Sequence, residues 1–329
     1  VKTVAQFMQD AMYDKNCGYY ISGDPIGKER DFITAPEISQ LFGEMIGIYC
    51  ANAWIQMGSP AKFNLVELGP GRATLMKDLL RATKNIEGFT KACKIHLVET
   101  NKAHIEIQKD CLDATWHNCI SSLPKDFPTL VIANEFFDCL PIHQYIFENK
   151  EWHERYIDNE KFTQALTSPD LNNSLCQEYP KAKNGDIIEI SYQTKEIVKN
   201  LCNLLKETTG SMLIIDYGYE TNDKYISTLQ AIKNHKYSSI FKDIGKTDLT
   251  AHVNFSAIKK EALLSGCEVS GTFAQGEFLN SLGIKLRAEI LKRNTTAIQI
   301  EEIDSGLNRL INPKEMGTLF KILNIYSKK

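Results

Sequence analysis

The sequence predicts an α/β fold, a doubly wound and mostly parallel sheet with helices on both faces, and three observations carry that prediction. Four short apolar runs, from Phe63 to Leu68, Lys94 to Glu99, Leu130 to Phe137 and Ser211 to Gly218, have the length and composition of buried strands. Helix-forming stretches separate them, as parallel neighbours require. Glu67, Glu99 and Asp216 stand near the tips of three runs and Asn134-Glu135 brings polar groups to the fourth. In open α/β sheets the carboxyl ends of the strands are where ligands bind.

Taken in order, Val4 to Tyr13 has apolar residues at helical spacing and reads as a packing helix, followed by a turn at Asn16-Cys17-Gly18. A Gly/Pro loop, SGDPIGKER, spans residues 22–30. Pro36 stands near the start of a helix expected from about Glu37 to Trp54, whose broad apolar face (Ile38, Leu41, Phe42, Met45, Ile46) either covers a cofactor pocket or only closes the sheet. Residues 1–60 are therefore expected as an N-terminal helical cover, and 61–329 as the α/β domain.

The stretch FNLVELGPGRATLM, residues 63–76, is a strand, a Gly69-Pro70-Gly71 turn and a helix running from Thr74 to about Lys84. Glycines let backbone approach a ligand closely, and the free N–H groups at the helix start attract its electronegative parts. Glu99, at the tip of the second strand, is the usual position of an acceptor for ribose hydroxyls, so the pattern points to an adenosine-containing ligand. A helix from Lys102 to Leu112, a weak strand between Thr115 and Ile120, and a loop with Pro124 and Pro128 lead to LVIANEFF. Beyond it, His143 to Asp158 alternates as a hairpin, 160–185 reads as polar loop, and a strand at Ile187 to Ile190 precedes a helix from Thr194 to Leu205. Insertions are expected near 141–190 and 220–255. The end alternates helices with a strand around Glu268 to Gln275.

A net charge of -3 and a pI near 6.2 give no electrostatic case for nucleic acid. Nine cysteines at irregular spacing, without a C-x-x-C pair, indicate neither a disulfide framework nor a zinc site, and no metal is expected. No apolar run is long enough to span a bilayer. The chain opens on Val1, so the natural N-terminus is expected upstream, with a cleaved targeting sequence left open.

The strings DFITAPEISQLFGE, LVELGPGRATLM, ANEFFDCLPIHQ, LIIDYG, DLTAHVNF and QGEFLNSLGI occur in this order over nearly the whole chain. Together they resemble the MidA family of class I methyltransferases, which use S-adenosylmethionine. The resemblance implies a Rossmann-like methyltransferase domain, and it implies a protein substrate, since mitochondrial members of the family methylate an arginine on a respiratory complex I subunit during its assembly. It implies that Glu67, Gly69, Gly71 and Arg72 surround the methionine part of the cofactor, with Thr74 in the same set. Glu99 would hold the ribose, and Asn134 and Glu135 would lie beside the sulfonium. Asp31 to Ser39 would lie over the pocket and Asp216 across it. Three positions depart from the family pattern: Ala73 and Arg30 stand where glycine is usual, and Asn254 where aspartate is usual. If position 73 requires positive φ, the methyl costs about 1 kcal/mol and could crowd the cofactor; in helical backbone it is harmless.

Methyl transfer from a sulfonium is an in-line displacement, for which alignment and electrostatics suffice. An arginine substrate adds an obstacle, because its guanidinium stays protonated and has little lone pair to offer. Paired carboxylates could grip it and accept a proton, and Glu135, Asp138 and Asp216 are the catalytic candidates. Asp138 as a helix cap and Asp216 as an acceptor from loop backbone are the alternatives. His143, His235 and His252 are read as loop histidines and Cys139 as a structural thiol. A non-catalytic or weakly catalytic assembly scaffold, motivated by Ala73, and a nucleic-acid or small-molecule methyltransferase are the competing functions; against an adenine substrate, Asn134 lacks the N-P-P-Y-like continuation of adenine methyltransferases. Bacterial cytoplasm is the first expectation for compartment, mitochondrial matrix the second.

Overall fold

Helix α1 (Val4–Tyr13) starts with Thr3 and Gln6 satisfying each other's backbone N–H groups, a reciprocal cap that fixes where the chain turns helical. The computed structural model describes residues 1–21, 34–221, 225–233, 236–293 and 295–328. The whole SGDPIGKER loop, Arg30 included, the first part of the DFITAPEIS string and His235 lie outside the described residues.

The helix expected from Glu37 comes as two pieces. A single turn, Ala35–Ile38, ends where Ser39 adopts extended backbone, and the Ser39 hydroxyl then caps α2 (Gln40–Gln56) by accepting from Leu41 N. Helix α2 is apolar on most sides because it is buried between the sheet and its neighbours. Gly43 and Gly47 let α3 (Thr74–Thr83) press against it; a Cβ on Gly47 would lie 2.9 Å from the Leu79 carbonyl oxygen.

The central sheet is built from β1 (Phe63–Leu68), β2 (Cys93–Val98), β3 (Thr115–His117) and β4 (Thr129–Asn134), with α4 (Lys102–Lys109) crossing between β2 and β3. After β4 the chain leaves the sheet for an antiparallel insertion, β5 (His143–Glu148), β6 (Glu151–Asp158), β7 (Lys161–Leu166), α5 (Pro169–Glu178) and β8 (Ile187–Ile190). It returns through α6 (Tyr192–Thr208) to β9 (Gly210–Tyr219). A three-stranded excursion follows, β10 (Gln230–Lys233), β11 (Lys236–Ser238) and β12 (Asp248–Thr250). Helix α7 (Phe255–Leu264), β13 (Cys267–Ala274), the helical segment from Gln275 to Ile311 and β14 (Phe320–Ser327) close the chain.

The order across the central sheet is β13-β14-β9-β4-β1-β2-β3. The contacts among β9, β4, β1, β2 and β3 are all parallel, and β14 runs antiparallel to both β9 and β13. This is the doubly wound, mostly parallel α/β arrangement expected. Alternate residues of each strand feed opposite cores. Phe63, Leu65, Leu130, Ile132, Leu213 and Ile215 face α2 and α3, while Val66, Leu68, Val131, Ala133, Met212 and Ile214 face α6 and α7. Burial on both faces is why the strands read as continuous apolar runs.

Several expectations change. The stretch 160–185, read as loop, holds β7 and α5; all six β7 residues are exposed and α5 buries only Leu175, so neither leaves an apolar stripe. The expected strand at Ile187–Ile190 forms and pairs with β5 inside the insertion. Strand β14, not foreseen, is the sheet's antiparallel member. Helix α1 shares a core with Ile142, Ile157, Ala231 and Leu249, and so packs on the inserted layers, whereas α2 shares one with β1 and β4.

Candidate active site

Beyond β1 the backbone makes three left-handed residues at alternate positions, Gly69 (φ 59°), Gly71 (φ 52°) and Ala73 (φ 58°). Gly69 N donates to the Val98 carbonyl at 3.0 Å and Ala73 N to the Pro70 carbonyl at 2.7 Å, which curls the turn over the tips of β1 and β2. Ala73 is the N-cap of α3, so its methyl sits in backbone that costs a non-glycine residue about 1 kcal/mol. That methyl is wholly buried in protein and lies outside the cleft described below. Thr74 turns its hydroxyl to the Glu37 carboxylate, and Arg72 is half-buried on the turn.

Glu99 is held at the tip of β2. One carboxylate oxygen accepts from Thr100 N at 2.7 Å and Asn101 N at 2.8 Å, and the other faces His104 Nδ1 at 3.5 Å. Gln108, fully buried on α4, joins this acid to the glycine turn: its amide donates to the Gly71 carbonyl at 2.7 Å, and its carbonyl accepts from the Trp116 indole at 2.8 Å.

The tip of β4 is the most constrained part of the site. Glu135 has φ 47°, unusual for a residue with a Cβ and characteristic of functional turns. One of its carboxylate oxygens accepts from Ala35 N at 2.9 Å and from the Asn134 amide at 3.2 Å; the other, Oε2, has no partner. Asp138, 4% exposed, leaves Oδ1 without a partner at hydrogen-bonding geometry, although the Tyr217 hydroxyl, itself unpartnered, acts on this carboxyl and partly offsets the effect of burial on its pKa. Asp216 does not join them at the cleft. Its oxygens accept from Phe137 N (3.0 Å), Asp138 N (3.3 Å) and Tyr217 N (2.9 Å), so it fastens the turn that presents Asp138 rather than forming part of a substrate clamp. Of the alternatives open from sequence, the loop-backbone role fits Asp216 and the helix-cap role does not fit Asp138.

A cleft of about 700 Å³ opens along these tips. Gly69, Gly71, Glu99, Glu135 and Asp138 line it; Glu67, Arg72, Thr74, Asn134 and Asp216 do not. Residues not singled out from sequence also line it, among them Asn118 to Ser121 after β3, Tyr13 at the end of α1 with Tyr19 and Tyr20 beyond it, Glu196 of α6 and Asp248 of β12. Asp248 lay in the quoted DLTAHVNF string, but nothing in its spacing marks it as a site residue. His143 is bonded to Glu154 in the insertion, and Cys139, which lines the cleft, receives the Tyr13 hydroxyl. A smaller cavity of about 170 Å³ between α6 and α7 contains none of the expected cofactor residues.

Desolvation dominates the electrostatics. Burial pushes the Glu67 carboxyl up to about 8, with the Glu99 charge adding to it, and pushes Glu135 to about 8 and Asp138 to about 6. Asp216 is raised well above the usual carboxylate range by burial and by the neighbouring Asp138 and Glu135 charges. Such a cluster is poised to gain from a cation. No group of residues suited to hold a metal occurs among the described residues.

The model of a family of S-adenosyl-L-methionine-dependent methyltransferases matches residues 45–273. The chain belongs to the MidA family of S-adenosylmethionine-dependent methyltransferases. Among curated relatives of this MidA-family enzyme, the zebrafish (Danio rerio) mitochondrial protein arginine methyltransferase NDUFAF7 is 31% identical, over 98% of this chain and 83% of its own. The Drosophila melanogaster homologue is 33% identical, over 98% and 81%. A Burkholderia thailandensis protein solved with S-adenosyl-homocysteine bound superposes with a TM-score of 0.86 at 24% identity, covering 98% of this chain and 87% of that one, and supports the fold. The cleft of this MidA-family chain suits the cofactor. Glycine backbone and Glu99 line the cleft together, Glu135 Oε2 and Asp138 Oδ1 are buried there without hydrogen-bond partners, and Glu67 Oε2 and Asn134 Oδ1, on residues at neighbouring strand tips, are unpartnered too. A ligand carrying hydroxyls, an ammonium and a sulfonium meets those needs.

Proposed function

We propose that this methyltransferase acts on a protein arginine, and that its substrate is a subunit of respiratory complex I whose assembly it assists. The observation that carries the arginine reading is the pair of partnerless carboxyl oxygens, Glu135 Oε2 and Asp138 Oδ1, buried three residues apart at the cleft. A guanidinium is planar, always charged and rich in donors, and it satisfies such a pair as no neutral group would. The names of the curated relatives, mitochondrial protein arginine methyltransferases, support the same class of substrate. They suit the mitochondrial matrix; the Burkholderia neighbour suits bacterial cytoplasm, which stays the first choice.

In this reading Gly69, Gly71, Arg72, Thr74 and Glu67 hold the methionine end of the cofactor, directly or through the turn they shape. Glu99 takes the ribose and Asn134 the neighbourhood of the sulfonium. Bound S-adenosylmethionine supplies an electrophilic methyl group. The protein's part is to orient one guanidinium nitrogen, exclude water, and take the proton that nitrogen sheds. Glu135 is suited to the last task, because a carboxyl held up near 8 lies close to working pH. The scaffold alternative rested on Ala73, and a methyl buried away from the cleft weakens it.

The test is methyl transfer from labelled cofactor to arginine peptides, read as methylarginine after hydrolysis. Wild type should form it, and Glu135→Gln should lower kcat at least 100-fold while S-adenosylhomocysteine binding stays within a few-fold. Methylation of a different residue type, or none on any arginine peptide, would remove the proposal.

A further inference from the structure

We infer that Asp248, oriented by Tyr20 and flanked by Tyr13, forms the far wall of the substrate subsite and determines its preference for a guanidinium. This rests on the arginine reading above and adds residues from two elements outside the central sheet.

Three observations carry it. First, Asp248 is 3% exposed yet lines the cleft, together with Glu135 and Asp138. Its Oδ1 accepts the Tyr20 hydroxyl at 3.0 Å, a bond between β12 and the chain leaving α1 that fixes where the carboxylate points. Secondly, the acids that share the cleft with it have unmet demand. Asp138 Oδ1 and Glu135 Oε2 have no partner, although Asp138 is nearly inaccessible. Buried carboxyl oxygens without partners are costly, and a group that brings several donors at once removes the cost.

Thirdly, the walls are tied together. Ala251 N donates to the Asp138 carbonyl at 2.9 Å, and the Tyr13 hydroxyl donates to the Cys139 carbonyl at 3.2 Å, so β12 and α1 are both fastened to the turn that carries Asp138. Tyr13 and Tyr20 lie with ring centroids 5.8 Å apart, and both line the cleft. Three acids, Glu135, Asp138 and Asp248, and two aromatic rings lining one cleft favour a flat, delocalised cation, which arginine provides and a compact, strongly hydrated ammonium does not. The negative charges of Asp138 and Asp248 also act on Glu135, raising its affinity for protons and for any other cation.

The test uses the full chain saturated with S-adenosylhomocysteine and N-ethylguanidinium as probe, with neutral N-ethylurea as its isostere, alongside steady-state methylation of an arginine peptide. Wild type should bind the guanidinium and not the urea. Asp248→Asn should weaken probe binding and raise the peptide KM about 10- to 100-fold, the range for a hydrogen bond to a charged group, with kcat and cofactor affinity within about 2-fold. Tyr20→Phe, which keeps the acid and removes its orienting hydroxyl, should shift KM in the same direction by less. Wild-type KM and probe binding in Asp248→Asn would overturn the inference and leave the arginine reading intact. Loss of cofactor affinity in step with KM would overturn it too, by assigning Asp248 to the cofactor. Probe binding that Asp248→Asn abolishes, in a protein that methylates no arginine, would support the subsite and remove the arginine reading.

Discussion

Ala73 decides at the scale of one residue what sequence left open. Its backbone is left-handed at φ 58°, ψ 24°, so the strain expected for a methyl there is present. Its side chain is buried in protein and does not line the cleft, so the expected crowding of the cofactor is absent. Ala73→Gly should therefore stabilise the chain by about 1 kcal/mol, seen as a rise of ~2 °C in Tm, and leave the cofactor Kd within about 2-fold. A gain in affinity of tenfold or more in calorimetric titration would mean that the methyl obstructs the site after all. Asn254 is a milder departure. It caps α7 by accepting from Ala257 N at 3.1 Å, and aspartate and asparagine perform that service about equally well.

Between elements, the site depends on how firmly α4 is joined to the glycine turn. Gln108 carries that junction with its bonds to the Gly71 carbonyl and the Trp116 indole. Gln108→Leu fills similar space but leaves both groups unpaired in a buried place, at a cost of about 1 to 3 kcal/mol each. Loosening the turn and Glu99 together should raise KM for S-adenosylmethionine at least 10-fold while kcat at saturation changes little. A variant that loses stability yet binds the cofactor normally would restrict Gln108 to packing. None of this was legible in the sequence, because a lone glutamine on a helix carries no signature, and its partners are 37 and 8 residues away. The strand tips were legible for the opposite reason: apolar runs buried on both faces end abruptly in Glu67, Glu99, Asn134-Glu135 and Asp216. What the pattern could not tell was direction. Asp216 turns to loop backbone, whereas Asp138, three residues past Glu135, turns to the cleft. Strand β7 and helix α5 were invisible because elements that bury almost nothing leave no period to read.

For the molecule as a whole, the buried acids make stability fall as pH rises. Glu67 and Glu135 hold their protons to about pH 8 in the folded chain, whereas an unfolded glutamate releases its proton near 4.5. Between those values the folded state binds more protons than the unfolded one, so their contribution is greatest in acid and is lost as pH climbs through 8. His96 acts in the other direction. Burial, and then the His117 charge, lower it to about 4, so it favours the folded state as pH rises from 4 to 6.5 and is spent above that. The clean window is therefore pH 6.5 to 8.5, where the carboxyls act without that opposition. Each can contribute up to about 1.4 kcal/mol per pH unit, and after relaxation of the site a net loss on the order of 2 kcal/mol across the window is expected. Urea denaturation at pH 6.5 and 8.5 measures it, with Glu67→Gln as comparison, since the amide has no proton to lose. Wild type should be less stable at pH 8.5, and the variant should show a visibly flatter profile. Equal slopes would mean that Glu67 is already ionised in the folded chain and that the cleft has a polar contact for it. A cationic ligand must displace these protons on binding. Titration of S-adenosylmethionine at pH 7 in two buffers of different ionisation enthalpy should therefore show net proton release, larger than for S-adenosylhomocysteine, which lacks the sulfonium charge.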